Sequence, residues 1–392
     1  MEGDLHLKVD LSIQPTQVAA RRIPVAMREP LKAELSRLEA MDVIERVNEP
    51  TDWTSALLTI HKQDGSLRIC IGPQQLNQAL KRQVYPVPTV EELLPELAKA
   101  KIFTKCDVKS GFWHICLDET SSKLTTFATP FGRYKWKRMP FGISPAPEVF
   151  QQRLEQLLVG LHGVFNIHDD IIVFGEGHTL QEADANHDER LLALLNRCKE
   201  KNIVLNRAEN KFIYKTQQLP YMGHLFTADG LKADPSKIAA IQQMPQPEDV
   251  ASVRRFLGMA NYMSKFVPNL AEIGTPLREL VKSDTWNWSR DCAKAWTDIQ
   301  QAILCSGVLH YFDPKEVTTL QWDASSTGLG AVIMQRGQPV AFASRALTRT
   351  ERNYCQLEKE MLALVFGVHR FHQYVYGLPV IWKLTINRCK QS

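Results

Sequence analysis

The sequence predicts an α+β protein, and three observations carry that expectation. Short β-rich runs come in pairs joined by turn residues, helical runs are interleaved with them, and a second β-then-helix series begins beyond Pro314. The first pair is SALLTIHK and LRICI around Asp64-Gly65, a hairpin signal because that dipeptide tolerates the positive φ of a tight turn. The second is LTTFAT and RYKWKR around Pro130-Phe131-Gly132. A helix is expected from Pro30, with Leu31, Leu35, Leu38 and Met41 on one stripe. Another opens at Ser144-Pro145, where Phe150, Leu154, Leu157, Leu158 and Leu161 recur at helical spacing. Residues 1–28 read as an extended leader. GVFN and IIVF flank His168-Asp169-Asp170, followed by a helix over 187–201 and strands near Phe212 and Tyr221. Helices over 234–244 and 248–265 are separated by Pro245 and Pro247. Trp286, Trp288 and Trp296 precede the run TTLQWDASS, and a last helix extends from Gln356 to about Tyr374.

A chain of 392 residues exceeds one ordinary core and suits several packed units. Its 44% hydrophobic and 23% charged residues exclude a disordered or fibrous chain. A net charge of +4 says little about a polyanionic partner. The eight cysteines form no CxxC pair and lie in apolar runs, which predicts reduced core thiols. MEGDLHLKVD lacks the apolar stretch of a secretion signal, and no window reaches the length of a membrane span. A soluble intracellular protein, cytoplasmic or nuclear and not secreted, is expected.

The chemistry is announced by Asp169-Asp170. Adjacent carboxylates repel one another, and an ordinary exposed turn would take Asn-Gly or Asp-Gly instead. Asp107 ends a second β-like run, KIFTKCD. Three carboxylates at strand ends suit two Mg²⁺ ions, which are hard cations that prefer oxygen, and two such ions can clamp an in-line phosphoryl displacement.

With these residues in view, the chain resembles the reverse transcriptases of gypsy-class LTR retrotransposons along almost its whole length. The matching segments include DGSLRIC, YPVPTVEEL, FTKCDVKSGFWHICLDE, TTFATPFGRYKWKRMPFGISPAPEVFQ, NIHDDIIVFG, YMGHLFTADGLKADPSKIAAI and RRFLGMANYMSKFVPNLAEI, in the family's order. The resemblance implies a right-hand polymerase of fingers, palm and thumb, then a connection and a truncated ribonuclease H-like α/β domain. Its segments would be a leader and helix over 1–50, fingers and palm over 51–230, thumb and connection over 231–314, and a partial ribonuclease H-like domain over 315–392. It implies metal ligation by Asp107, Asp169 and Asp170, with Mg²⁺ as the ion and Mn²⁺ as an alternative. Lys62 and Arg68 would hold the triphosphate, Phe112 would close the sugar pocket against a 2′-hydroxyl, and Phe141 would lie beside nucleotide and template. Tyr221, Met222, Gly223 and His224 would grip the primer end, and Arg254 and Arg255 would follow the duplex backbone. The implied partners are an RNA template, a DNA primer, RNA–DNA hybrid and deoxynucleoside triphosphates, without a membrane.

Three departures from the family pattern stand out. Ile167 replaces the usual tyrosine of Tyr-x-Asp-Asp, and His168, read as a strand residue facing away from Asp169, is not expected to ligate. Gly72 stands where an acid is usual in RICIGPQQLN. In the last segment, Asp323 and Glu358 match the first two ribonuclease H carboxylates, but Ile386 stands at the third and the fourth is absent. Hydrolysis of hybrid is therefore expected to be lost or weak. His369 and His372 lack partners at zinc-site spacing. The expected activity is RNA- and DNA-directed DNA polymerisation. A silent nucleic-acid-binding remnant and a hybrid-specific ribonuclease are the alternatives.

Overall fold

The structure is a computed structural model that describes residues 1, 3–61, 65, 67–209, 211–283 and 285–384. Among these residues the strands form four sheets. In spatial order, the first holds Ile44–Val47, Gly132–Trp136, Phe127–Thr129, Ser55–His61 and Leu67–Gly72. The second holds Val164–Ile167, Asp170–Glu176, Ala100–Asp107 and Ile213–Thr216. Gln218–Tyr221, His224–Thr227 and Gly230–Ala233 make the third, and Gln338–Ala346, Gly328–Gln335, Thr318–Ala324 and Val380–Leu384 the fourth. The mixed α+β class follows the sequence expectation. No described helix is long and apolar enough to cross a membrane.

The chain divides into two compact units. The first comprises Met1–Thr89, Thr104–Phe174 and Ala185–Tyr214, and the second Val90–Phe103, Gly175–Asp184 and Lys215–Ser392. In the first unit both expected hairpins form, with His61 opposite Leu67 and Thr129 opposite Gly132. The strand Leu67–Gly72 packs on the helix Val25–Ala40 and Gly132–Trp136 on Glu119–Leu124, while the helix Ala146–Leu158 packs on Val164–Ile167, its Phe150 and Leu154 fully buried in the same core as Phe127, Tyr134 and Trp136. Each such side chain contributes about 2 kcal/mol relative to exposure. The first helix runs Val25–Ala40, so Pro30 is an exposed interior residue and not its start. Pro24 precedes the first turn, and Pro30 only withholds one N–H on the solvent side. Leu31, Leu35 and Leu38 are buried as expected, but Met41 falls past the helix end and is exposed.

In the second unit, Asp234 and Asp249 cap the helices Pro235–Gln242 and Val250–Tyr262 by accepting from Ser236 N and Ser252 N. Trp296, on the helix Arg290–Leu304, packs on Phe256 with ring centroids 3.8 Å apart. The strand Thr318–Ala324 alternates buried and half-buried residues, and its buried face meets Ala363 of the helix Gln356–Arg370. Cys70, Cys106, Cys198 and Cys292 are buried thiols, and burial raises Cys106 to about 12. Cys305 and Cys355 depart from the expectation and are exposed, because each lies at the end of a helix where the core stops. Cys389 lies outside the described residues.

Candidate active site

The hairpin Val164–Ile167/Asp170–Glu176 pairs Ile167 with Asp170, which leaves His168 and Asp169 as a two-residue turn. His168 has φ 55° and is exposed, so it is a turn residue and not the strand residue expected from sequence. A two-residue hairpin demands positive φ at its first central position, and a histidine there must be braced. Gln151, fully buried on the helix Ala146–Leu158, supplies the brace. Its Oε1 accepts from His168 N at 2.7 Å, and its Nε2 donates to Asn166 O at 3.2 Å. Sequence reasoning passed over Gln151; the signal was a lone amide on an otherwise apolar stripe. Ile167 is buried.

Asp107 ends the strand Ala100–Asp107 beside this turn, where Val108 N donates to Asp169 O at 2.9 Å. Asp107 is buried, and its two carboxylate oxygens accept from Asn206 Nδ2 at 3.2 Å and Lys211 Nζ at 2.7 Å. Asp170 pairs with Lys105 Nζ at 2.9 Å. Surrounding protein raises the Asp169 carboxyl above its ordinary value, and the negative Asp107 and Asp170 push it further. Lys211 is raised in turn, chiefly by its hydrogen bond to Asp107. Among the described residues, no three His, Cys, Asp or Glu side chains are gathered as a ready cage for an ion. Two of the three acids are instead turned to lysines. Their oxygens are nonetheless the donors that a hard divalent ion prefers, and their mutual repulsion calls for positive charge. Lys105, Asn206 and Lys211 were not singled out from sequence, since a strand lysine and a loop Asn-to-Lys spacing carry no specific signal.

Next to Asp107, Ser110 has φ 53° and starts the short helix Gly111–His114. A Cβ on Gly111 would come 2.6 Å from Phe150 Cζ, so only glycine lets this turn sit on that ring. Phe112 lies 4.9 Å from Phe141 and 5.5 Å from Phe150 between ring centroids, and Arg68 stands 4.9 Å above Phe141. Phe112, Phe141 and Arg68 are thus brought together as the sequence reading grouped them. Lys62 lies outside the described residues. Asn77 fastens the loop after Phe141, donating to Gly142 O at 2.9 Å and accepting from Ser144 N at 2.7 Å. Gly142 has φ 110°, and a Cβ there would strike Ile71 O at 2.3 Å. A Cβ at Gly72 would lie 3.1 Å from Leu58 Cδ1, a half-exposed side chain with room to move.

Met222 and Gly223, with φ 46° and 72°, turn the hairpin that pairs Tyr221 with His224. Tyr262 Oη donates to Met222 O at 2.8 Å and leaves no room for a Cβ on Gly223. Tyr221 and His224 are buried. His224 stacks on Tyr262, and of the four residues Tyr221–His224 Met222 and Gly223 are partly exposed. Arg254 and Arg255 are exposed on the helix Val250–Tyr262.

The second carboxylate pair needs a larger correction. Glu358 is exposed and accepts from Cys355 N at 2.8 Å, so it caps its own helix. Glu360, two residues on, faces the strand that carries Asp323. Burial raises its carboxyl, with Asp323 adding repulsion, and Gln356 Nε2 donates to it at 2.8 Å. Glu360 Oε2 is buried without a hydrogen-bond partner. The family match pointed to Glu358 and passed over Glu360, and the capping bond shows Glu358 already engaged at its own helix end. Ile386 lies outside the described residues.

Acids on adjacent strand ends beside clustered aromatic rings suit nucleotidyl transfer, and the family comparisons give the class. Residues 60–226 match the model of "Reverse transcriptase (RNA-dependent DNA polymerase)", and residues 288–382 match "RNase H-like domain found in reverse transcriptase". The chain carries the reverse transcriptase and RNase H-like domains of this family, and its relatives are Pol polyproteins of gypsy-class and other LTR retrotransposons. It is 32% identical over 91% of its length to the retrovirus-related Pol polyprotein from transposon opus of Drosophila melanogaster, covering 37% of that protein. Identity is 30% to the Pol polyprotein from transposon 412, over 95% of the chain and 30% of the relative, and 31% to that from gypsy, over 79% and 31%. Both are from the same fly. The chain thus spans about a third of the curated relatives it matches. In fold it is similar to the foamy viral protease-reverse transcriptase solved with dsDNA, at TM-score 0.86 and 20% identity over 97% of this chain and 78% of that one. The same viral protein solved with RNA/DNA hybrid gives TM-score 0.80 at 19% identity, over 97% and 52%.

Proposed function

We propose that the chain polymerises DNA on RNA and DNA templates, with Asp107, Asp169 and Asp170 as the residues that hold its divalent ions. The observation that carries this reading is the placement of Asp107 at a strand end against the turn that carries Asp169 and Asp170, joined by the 2.9 Å bond from Val108 N to Asp169 O. Two Mg²⁺ ions bound there would supply Lewis-acid activation of a primer 3′-hydroxyl and charge for a departing pyrophosphate. The chain's own residues do the rest. Gln151 holds the His168-Asp169 turn, and Asn206 holds the Asp107 carboxylate from the other side. Lys211 and Lys105 balance the acids until other cations take that charge. Phe112, wedged between Phe141 and Phe150, is a rigid wall against which a ribose 2′-hydroxyl would clash. Arg68 is an exposed cation at the mouth of the same pocket, suited to a triphosphate. Arg254 and Arg255 suit phosphates of a duplex.

The neighbours solved with dsDNA and with RNA/DNA hybrid support the same classes of nucleic acid as partners here. A second reading, a silent nucleic-acid-binding remnant, draws on Gly72 and on the lysines paired with two of the three acids. Primer extension on an RNA template with Mg²⁺ separates the two, run beside an Asp169→Asn, Asp170→Asn variant. Extension by the parent alone supports the polymerase. Absence of extension in both, with duplex binding that weakens as salt rises, supports the remnant.

A further inference from the structure

His114 is tied to two backbones at once. Its Nδ1 lies 3.2 Å from Gly111 O, and its Nε2 lies 3.1 Å from Val204 N. A backbone N–H can only donate, so Nε2 must be the unprotonated acceptor, and Nδ1 must carry the hydrogen given to Gly111 O. One neutral tautomer satisfies both bonds. Gly111 immediately precedes Phe112, the wall of the sugar pocket. Val204 begins the segment that holds Asp107: Lys109 N donates to Val204 O at 2.9 Å, Val108 bridges Leu205, and Asn206 N donates to Asp107 O at 2.8 Å. The ring is therefore closed from Asp107 through Ser110 to Phe112, and back through His114 and Val204 to Asp107.

We propose that His114 is a positioning residue that fixes Phe112 relative to Asp107 and so sets the discrimination between deoxyribonucleotides and ribonucleotides. The inference rests on the polymerase reading above. Phe150 supports the Phe112 turn from one side, as the close approach at Gly111 requires. His114 is its fastening to the segment beside the catalytic acid. Without that fastening, Phe112 shifts by a fraction of its ring width, and a wall that acts by clash loses its edge. Burial holds the imidazole below its ordinary value, which keeps the neutral tautomer in place.

The test compares His114→Leu, His114→Gln and His114→Glu in single-nucleotide incorporation, taking kcat and KM separately for a deoxynucleotide and its ribonucleotide. A glutamine can accept from Val204 N and donate to Gly111 O. A glutamate can accept but repels the Gly111 oxygen, and leucine does neither. The expected result is a discrimination ratio lowered about tenfold in the Leu and Glu variants, mainly through KM, and restored in the Gln variant. Should the Leu variant not fold, the contrast between Gln and Glu carries the test. Wild-type discrimination in the Glu variant, or a Gln variant no better than it, overturns the proposal. A wild-type chain that incorporates no nucleotide sinks the polymerase reading itself, and this inference with it.

Discussion

Around Asp107, Asp169 and Asp170 two lysines accompany three acids, whereas the donor to Glu360 beside Asp323 is the neutral amide of Gln356. Both clusters raise a carboxyl by burial and by a neighbouring acid. The first pairs its acids with positive charge, and the second leaves one oxygen of Glu360 buried without a partner. A site built for exchangeable cations can be held together by lysines that yield to them. At the second pair the hydrogen bond to Glu360 comes from a neutral amide, and the charge of Asp323 raises its carboxyl.

The largest effect that would break this contrast comes from two single substitutions. Asp107→Asn is expected to lower nucleotide incorporation about a thousandfold or more, because a ligand charge is lost where the transition state needs it. Glu360→Gln should leave incorporation unchanged. Equal losses in the two variants, measured in the same primer-extension assay, would merge the clusters into one.

His224 sharpens the comparison from outside both clusters, as a buried titratable group whose Nδ1 also lacks a partner. Burial and the nearby Lys265, opposed weakly by Glu91 and Asp234, hold it down to about 4 from an ordinary 6.5. The folded protein then binds fewer protons than the unfolded chain between those values. Its contribution is complete above about pH 6.5 and is lost as pH falls toward 4, an effect of about 3 kcal/mol. Denaturant midpoints measured from pH 7 to pH 4 should fall for the wild type, and more steeply than for His224→Phe, which stacks on Tyr262 without titrating.

Lys211→Met removes a cation from the first cluster. It is expected to raise Mn²⁺ affinity roughly tenfold, since a competitor for Asp107 is gone. Titration of free Mn²⁺ by electron paramagnetic resonance reads this directly, and an unchanged affinity would show that the lysine is no placeholder. The smallest effect separates the two glutamates. Glu358→Ala should cost about 1 kcal/mol through the lost cap and lower Tm by a few degrees, while Glu360→Gln should not destabilise, since it removes a buried like-charge contact.

These outcomes bear on how much was legible in the residues. The α+β class, both hairpins and the acids at strand ends could be read directly, because alternation, turn dipeptides and paired aspartates are local signals. Phe112 and Phe141 were grouped by family resemblance, and the ring contacts agree. What escaped were residues whose role depends on distant neighbours. Gln151, Asn206, Lys211 and His114 each reach a partner 17 to 104 positions away, separations that no periodicity records. Glu358 and Glu360 differ by two positions on one helix, and only the cap at Cys355 tells which one is already engaged. His168 was misread because a non-glycine residue at positive φ is rare without a brace, and the brace sits on another helix.

The most direct test of the central claim is the Mg²⁺ dependence of single-nucleotide incorporation on an RNA template, in wild type and in Asp169→Asn, Asp170→Asn. Incorporation by the wild type is expected to rise with Mg²⁺ and saturate, and the double variant to show none, with duplex affinity the same in both. Incorporation without divalent ions, or full activity in the double variant, would contradict the claim.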